Sequence, residues 1–561
     1  MRSLIPFRVS RASQSALTPP PLSKGPFCRY RPQGLWKRGL SDTRPSLERN
    51  LSSPAVFYLR HTLSAIVFLV LGAGGLSAWQ ALKAEKAYHK EDMQPSYADR
   101  SQMEKAITEL RSMAGEESVS TDDEILQTHG FSEWSNHNID KLPIAVVYPR
   151  STEECSDMVK VCYKYKIPII PYSGGSSVEG NFAAPFGGMC FDFLNMGRIL
   201  EIHAEDMNVI VQPSVSWMDL NSKLKDSGLF FPIDPGPTAM IGGMVGTNCS
   251  GTNAVRYGTM RDWVVNLTVV LADGSIVKTR RRPRKSSAGY NLNGLIVGSE
   301  GTLGVVTEIT LKLAAIPEKT AVAVVTFPSM RAAAQTAIDV IHKAVPIGAV
   351  EILDEVQMSV INRVGGTHRA WKELPTLFFK FAGSQGSVTD GVAQVGEIVK
   401  KHGGSNFEFA HGEIEQQRLW SARKEALWSM LSLRGSGREV WSTDVAVPLS
   451  SVADLIEVSK KDMDSLGLFG SMLGHVGDGN FHETILFDGV KERELVEKCV
   501  NDMVQLALKM EGTCTGEHGI GLGKKQFLQE ELGPGPIAVM RSIKKSLDPF
   551  WLMNPGKIFD A

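Results

Sequence analysis

The sequence predicts an α+β protein made of two successive mixed units, and three observations carry that prediction. Between about residues 142 and 317, short apolar strands alternate with capped helices. Three glycine-rich stretches each lie beside one of those strands. Beyond Pro317 the order changes to that of an interrupted β-α-β-β-α unit of ferredoxin-like type.

In the first unit, 144–148 reads as a strand. Ser151-x-x-Glu154 is a capping box, and Met158, Val161, Cys162 and Tyr165 follow at helical spacing. Residues 167–172 form the next strand. A strand at 208–212 and the Ser216-x-x-Asp219 helix repeat the theme. Asp273-Gly274 is a hairpin turn between 267–271 and 275–279, and 305–313 alternates with Ile309, Leu311 and Leu313 on one face. In the second unit, 321–327 is a strand, 330–343 a helix, 348–353 and 376–381 strands, and 388–401 a helix. A helical region at about 412–434 follows. Residues 83–141 are charged and helical in character, a linker or N-terminal extension. No stretch fits G-x-G-x-x-G after a strand or G-x-x-x-x-G-K-[ST], which weighs against the common NAD and P-loop readings.

The net charge of −1 over 561 residues hides an asymmetry. Residues 1–61 carry eleven Lys/Arg against Asp42 and Glu48, a charge of +9, which leaves −10 on the remainder. An acidic body argues against nucleic acid as a partner and suits a basic protein. The first residues are basic, Ser-rich and acid-free, the composition of a mitochondrial presequence. Residues 62–82, from Thr62 to Leu82, hold no charge and are long enough to span a bilayer at 1.5 Å per residue. A presequence followed by a stop-transfer helix predicts an inner-membrane anchor with residues 84–561 in the intermembrane space. The seven cysteines are scattered, without a CxxC pair, so no disulfide scaffold is expected.

The first glycine loop runs Pro171-Tyr-Ser173-Gly174-Gly175-Ser176-Ser177-Val-Glu-Gly180-Asn181 and follows a strand directly. Adjacent glycines let backbone N–H groups converge, and the serines add donors, which suits a pyrophosphate. Alone, it could be an ordinary Gly/Ser turn. A second stretch, Asp234-Pro235-Gly236-Pro-Thr238 to Gly243, Asn248, Ser250 and Gly251, is dense in small residues that let a flat ring lie against backbone. The third is Gly298-Ser-Glu300-Gly301-Thr302-Leu-Gly304-Val305-Val306. In this order the three resemble the two-subdomain FAD-binding domain of the vanillyl-alcohol oxidase and p-cresol methylhydroxylase superfamily, from about 142 to 315. The resemblance implies that the first loop holds the FAD pyrophosphate, the second the isoalloxazine, and Glu300 to Val306 the rest of the nucleotide. Many relatives attach FAD through a histidine in the first loop. Ser176 stands at the corresponding place, which implies non-covalent FAD.

Two of the twelve histidines bracket a Gly-Asp-Gly turn in Gly474-His475-Val-Gly477-Asp478-Gly479-Asn480-Phe-His482. A second segment, Gly516-Glu517-His518-Gly519, places a carboxylate and an imidazole between glycines. His-x6-His alone can be two unrelated residues. With Glu517 it offers two imidazoles and a carboxylate, the donor set of a catalytic Zn²⁺ or similar divalent ion. His518 can accept a proton, and Arg423, in Trp420-Ser-Ala-Arg423-Lys424, can clamp a carboxylate or simply serve in a surface salt bridge.

These segments, from about 318 to the Asn554-Pro-Gly-Lys557-Ile ending, resemble the FAD-linked oxidase C-terminal domain of cytochrome-type D-lactate dehydrogenases. That group also includes D-2-hydroxyglutarate dehydrogenases and glycolate oxidase subunits. The resemblance implies His475, His482 and Glu517 as ligands of a divalent metal, Zn or Mn. It implies His518 as the base, Arg423 as the arginine for the substrate carboxylate, and Asn554 as a further cofactor contact. The implied activity is oxidation of a small D-2-hydroxy acid, D-lactate first, by proton abstraction, metal-assisted alkoxide stabilisation and hydride transfer to flavin N5. Cytochrome c is the implied acceptor. Val476 and Phe481 look like the lactate branch, and the family's lysine for a distal carboxylate has no assignable position. The competing expectations are a D-2-hydroxyglutarate or other D-2-hydroxy-acid dehydrogenase, and a membrane-tethered flavin-binding scaffold without turnover.

Overall fold

The computed structural model describes residues 95–561 except 133, 411 and 436. The expected presequence and the membrane helix at 62–82 lie outside the described residues. Among the described residues no helix is long and apolar enough to cross a membrane.

The described part of 83–141 is an extension built into the first subdomain, not a free linker. Helix Arg100–Ala114 starts at a capping box between Asp99 and Gln102. Its Met103, Ala106, Ile107 and Leu110 fall on one helical face and enter the same core as helix Thr152–Tyr165. Strand Val119–Ser120 pairs antiparallel with Ala145–Val147. Strands Met189–Asp192 and Ile169–Tyr172 continue that sheet in parallel. The expected box at Ser151 is half present. Its hydroxyl caps Glu154 N at 3.1 Å, but the Glu154 carboxylate takes the N–H of Arg150 at 2.7 Å.

The second subdomain is a five-stranded antiparallel sheet in the order Ile199–His203, Asn208–Val211, Val305–Lys312, Val264–Val270, Ile276–Lys278. The Asp273-Gly274 hairpin forms as expected, and its tip presses on the first subdomain. Gly274 has φ +84°, and a Cβ there would lie 3.0 Å from the Ser156 carbonyl oxygen. A bulkier residue would thus disturb both the turn and the contact between the two subdomains.

The C-terminal domain is built on an antiparallel sheet. Its first four strands lie in the order Ser405–Ala410, Lys319–Thr326, Thr376–Gly383, Ile347–Leu353, the ferredoxin-like arrangement. Helices Met330–His342 and Gln385–Lys401 cover one face, where Ala321, Ala323 and Val325 point. Helix Glu413–Ser432 covers the other, against Val322 and Val324. Burial on both faces explains why 321–327 reads as a continuous apolar run. The sheet then extends through Phe469–Gly474 and Asn480–Asp488, the strands on either side of the Gly-Asp-Gly turn, and through Arg438–Ser442, which the sequence pattern did not reveal.

The end of the chain returns to the first unit. The N–H of Ile169 donates to Leu552 O at 2.7 Å, and that of Asn554 donates back to Ile169 O at 2.7 Å. Buried Lys544 donates to Thr302 O and Met553 O at 2.7 and 2.8 Å. The Asn554 amide donates to the carbonyls of Asn181 and Glu300 at 3.0 and 2.7 Å. One side chain thus ties the first and third glycine stretches to the C-terminus. Replacing it strands two buried carbonyl oxygens. Asn554→Ala should lower the denaturant-unfolding stability by about 1–3 kcal/mol, and a midpoint equal to that of the unaltered protein would dismiss this role.

Candidate active site

His475 follows strand Phe469–Gly474, and His482 lies in Asn480–Asp488, so the hairpin between them sets the two imidazoles at right angles with centroids 5.6 Å apart. The turn needs Gly479 at φ +77°. Glu517 arrives on the loop between helices Arg493–Lys509 and Lys525–Leu532. Its Oε1 lies 3.2 Å from His475 Nε2 and 3.6 Å from His482 Nε2, and one donor atom from each residue falls within 4.8 Å of the others.

Each member is held from behind. His475 Nδ1 lies 2.8 Å from Glu351 Oε1, and His482 Nδ1 lies 2.9 Å from the Thr443 carbonyl. Both contacts fix the proton on Nδ1 and turn the Nε2 lone pair inward, the support found behind metal-binding histidines. Ser250 Oγ donates to Glu517 Oε2 at 2.6 Å, leaving Oε1 for the centre. Burial opposes charge on His475, but Glu351 and Glu517 outweigh it and raise its pKa well above the ordinary histidine value. Burial lowers His482 to about 4. Burial would raise Glu517, yet His475 beside it holds its carboxyl far below the usual range. Two inward nitrogens and an ionised oxygen fit a divalent cation, which would take the place of the second proton that Glu351 and Glu517 favour on His475.

His518 is not among these three. Its ring stacks on His482 at a centroid distance of 5.3 Å, and its Nδ1 stands 3.8 Å from Glu179 Oε1 without a hydrogen bond. Burial disfavours its charge, but Asp444 outweighs that and raises its pKa. Arg423 lies on helix Glu413–Ser432. It does make a salt bridge, but a buried one: its Nε donates to Glu351 Oε2 at 2.8 Å. Among the described residues its Nη groups bond nothing, which leaves that side of the fork available to an anion. Glu351 thus binds His475 with one oxygen and Arg423 with the other.

Arg423, His475, His482, Glu517 and His518 all face one cavity of about 660 Å³. The same cavity is lined by Pro171, Ser173, Gly174, Gly175, Ser176 and Ser177 of the first loop. Pro235, Gly236, Thr238, Gly243 and Gly251 of the second stretch line it, as do Glu300, Gly304, Val306 and Asn554. The backbone N–H groups of 174–177 donate to no described protein group, so a set of free donors faces the space. A Cβ added at Gly236, Gly243 or Gly246 would meet nothing within 4 Å, so these glycines border open volume that a flat ring could fill. The residues present therefore fit an extended dinucleotide.

Four expected cofactor contacts are used differently by their side chains. Asn248 lies off the cavity. It ends helix Ile241–Thr247 at φ +55°, and its Oδ1 accepts Arg261 N at 2.9 Å. Ser250 also lies off the lining, because its hydroxyl holds Glu517. The Glu300 carboxylate accepts the N–H groups of Ile520 and Gly521 at 2.7 and 2.8 Å, besides the Asn181 amide, so it joins the two halves of the protein. The Asn554 amide is spent on the two carbonyls described above, and its Oδ1 accepts Lys557 Nζ at 3.2 Å. Glu300 and Asn554 still line the cavity, whereas Asn248 and Ser250 do not.

Sequence reasoning missed Glu179, Glu351, Thr443 and Asp444. Glu351 did leave a signal: it is the one carboxylate in the otherwise apolar strand Ile347–Leu353. Thr443 acts through its carbonyl, which no residue type discloses.

Comparison with known proteins decides the family. The model for FAD linked oxidases, C-terminal domain, matches residues 316–558, and that for an FAD binding domain matches 143–280. The mitochondrial "D-lactate dehydrogenase [cytochrome]" of Arabidopsis thaliana is 48% identical over 454 residues, 81% of this chain and 79% of its own length. The chain belongs to the cytochrome-type D-lactate dehydrogenase family of FAD-linked oxidases. The protein of the same name from Kluyveromyces lactis is 45% identical over 484 residues, 83% of each chain. At the level of fold, p-cresol methylhydroxylase superposes with a TM-score of 0.69 at 18% identity, covering 83% of this chain and 99% of its own. Within this family frame, Glu351 is the residue whose loss should be felt at two functions together. Glu351→Gln should weaken divalent-metal affinity by roughly 10–100-fold and raise the hydroxy-acid concentration needed for half-saturation. Chelator competition and substrate titration would measure both, and a change in only one would disprove the shared hold.

Proposed function

We propose that this protein oxidises D-lactate to pyruvate on non-covalent FAD and passes the electrons to cytochrome c. The observation that carries this reading is the meeting, in one cavity, of the free-donor glycine loop with His475, His482, Glu517, His518 and Arg423. FAD held by the 171–177 loop and the 235–251 stretch would supply the hydride acceptor, and its chemistry is the cofactor's own. Zn²⁺ or Mn²⁺ held by His475, His482 and Glu517 would supply Lewis acidity for the substrate oxygen. The protein's own residues do the rest. Arg423 holds the substrate carboxylate through its free Nη side and thereby orients the α-carbon. His518 takes the hydroxyl proton on a ring nitrogen, with Glu179 behind Nδ1. The intact base argues against a scaffold without turnover. The absence of histidine in the first loop supports dissociable FAD, which acid should release from the polypeptide.

The choice of D-lactate draws on the names of the relatives at 45–48% identity. A second reading, D-2-hydroxyglutarate, is favoured by Lys424, which lines the cavity next to Arg423 and could meet a distal carboxylate. Anaerobic bleaching of the flavin separates the two. D-lactate should reduce it at micromolar to millimolar concentrations, and faster reduction by D-2-hydroxyglutarate would reassign the substrate. In the same assay His518→Ala should slow reduction by roughly 10²–10⁴-fold while retaining FAD and metal. Loss of metal would make His518 a ligand instead.

The segment 62–82 supports a single inner-membrane anchor with the catalytic domain in the intermembrane space. Protease added to mitochondria with only the outer membrane opened should digest the domain. Full protection under those conditions would overturn the topology.

A further inference from the structure

Asp444 lies between strands Arg438–Ser442 and Val445–Ala446 and is fully buried. It does not line the cavity. Its Oδ2 accepts three consecutive backbone N–H groups, from Gly516, Glu517 and His518, at 2.8, 2.9 and 3.0 Å. The Thr515 hydroxyl adds a fourth donor to the same oxygen at 2.8 Å. Three successive N–H groups converge on one oxygen only when the chain curls into a nest, and such a nest favours an anion. The other oxygen, Oδ1, accepts the Asn480 amide at 2.7 Å and stands 3.7 Å from His482 Nδ1. One carboxylate therefore grips both arms of the site, the His475–His482 hairpin and the 515–518 loop. Lys524 steadies it, donating to the Asp444 carbonyl at 3.0 Å with its Nζ 3.7 Å from Oδ2. The fit is close. A Cβ on Gly516 would come within 2.9 Å of Asp444 Oδ1 and 2.7 Å of Asn480 Cγ.

We propose that Asp444 is the positioning residue of this site: by holding the 516–518 backbone against the hairpin, it fixes the metal-holding carboxylate of Glu517 and the imidazole of His518 in one shared geometry. Glu517 and His518 are neighbours in sequence, so their side chains leave the backbone in different directions. Only a fixed curl of the loop sends Glu517 to the two Nε2 atoms while laying His518 on His482. An uncharged side chain at 444 could offer an oxygen but not the charge that gathers three N–H dipoles, so the loop would loosen at both functions together. This inference rests on the reading of Glu517 as ligand and His518 as base.

The test uses the full-length FAD-loaded protein and its Asp444→Asn and Asp444→Ala variants, with Zn²⁺ as the metal probe. Three quantities are read: amide exchange across 513–520, Zn²⁺ affinity by chelator competition, and the limiting rate of flavin reduction by D-lactate. Asp444→Asn should speed exchange in that loop by about tenfold or more while the flanking helices keep theirs. It should weaken Zn²⁺ by roughly 10–100-fold and lower the limiting rate, with FAD content unchanged, and Asp444→Ala should go further in each. Glu517→Gln should lose the metal yet keep the exchange protection, because the nest is made of backbone. Exchange or Zn²⁺ affinity unchanged in Asp444→Asn overturns the proposal. So does a uniform rise in exchange across the domain with loss of FAD, the mark of a merely structural role. If the unaltered protein is not reduced by D-lactate, the functional reading fails, and the exchange and metal measurements still decide the positioning role.

Discussion

The carboxylate of Glu300 belongs to the FAD-binding half, yet both of its oxygens receive N–H groups from Ile520 and Gly521 in the other half. This contact sits three residues from Glu517 and fixes where the 516–521 loop meets the glycine stretches. The catalytic reading depends on it, because the hydroxy-acid chemistry needs the flavin-binding surface and the imidazole cluster within one cavity. Burying an acid is costly, and burial pushes Glu300 up to about 7. Two backbone donors and the Asn181 amide offset that cost. A neutral or glutamine side chain could fill the same volume but would accept fewer donors at its second position.

The same device recurs around the site. Glu351 divides its oxygens between His475 and Arg423, and Asp444 divides its own between the hairpin and the 515–518 loop. Each buried acid joins two segments that are far apart in sequence, and each is matched by cations or by several N–H groups. Such groups contribute less to net stability than apolar residues of similar volume would, and they make one arrangement of the loops much better than its competitors. The apolar cores on the two sheet faces hold the domain together, and the buried acids select where its loops lie.

This division explains what the sequence disclosed. Strands and helices with clean periodicity, such as Val305–Lys312 and Met330–His342, were legible because burial on one face imposes the pattern. Strand Arg438–Ser442 was not, because its residues are mostly half-buried and carry no alternation. The ligand candidates His475, His482 and Glu517 stood out because imidazoles and carboxylates between glycines are rare. Their supporters did not: Thr443 acts through a carbonyl, Glu179 sits inside a loop read for its serines, and Asp444 is one acid among many. Small residues gave the opposite error. Asn248 and Ser250 lie in a stretch whose composition suits a flat ring, yet one caps a helix and the other orients Glu517.

The Ser250 contact also bears on how the two halves cooperate. Ser250 belongs to the stretch read as the flavin platform, and it fixes which oxygen of Glu517 faces the imidazoles. A shift of that stretch by a few tenths of an ångström therefore moves the carboxylate as well. One hydrogen bond of 2.6 Å thus joins the second glycine stretch directly to the His475, His482 and Glu517 cluster. In this arrangement the flavin-binding surface does more than present a cofactor. It also supplies the hydroxyl that holds one oxygen of Glu517 beside His475 and His482.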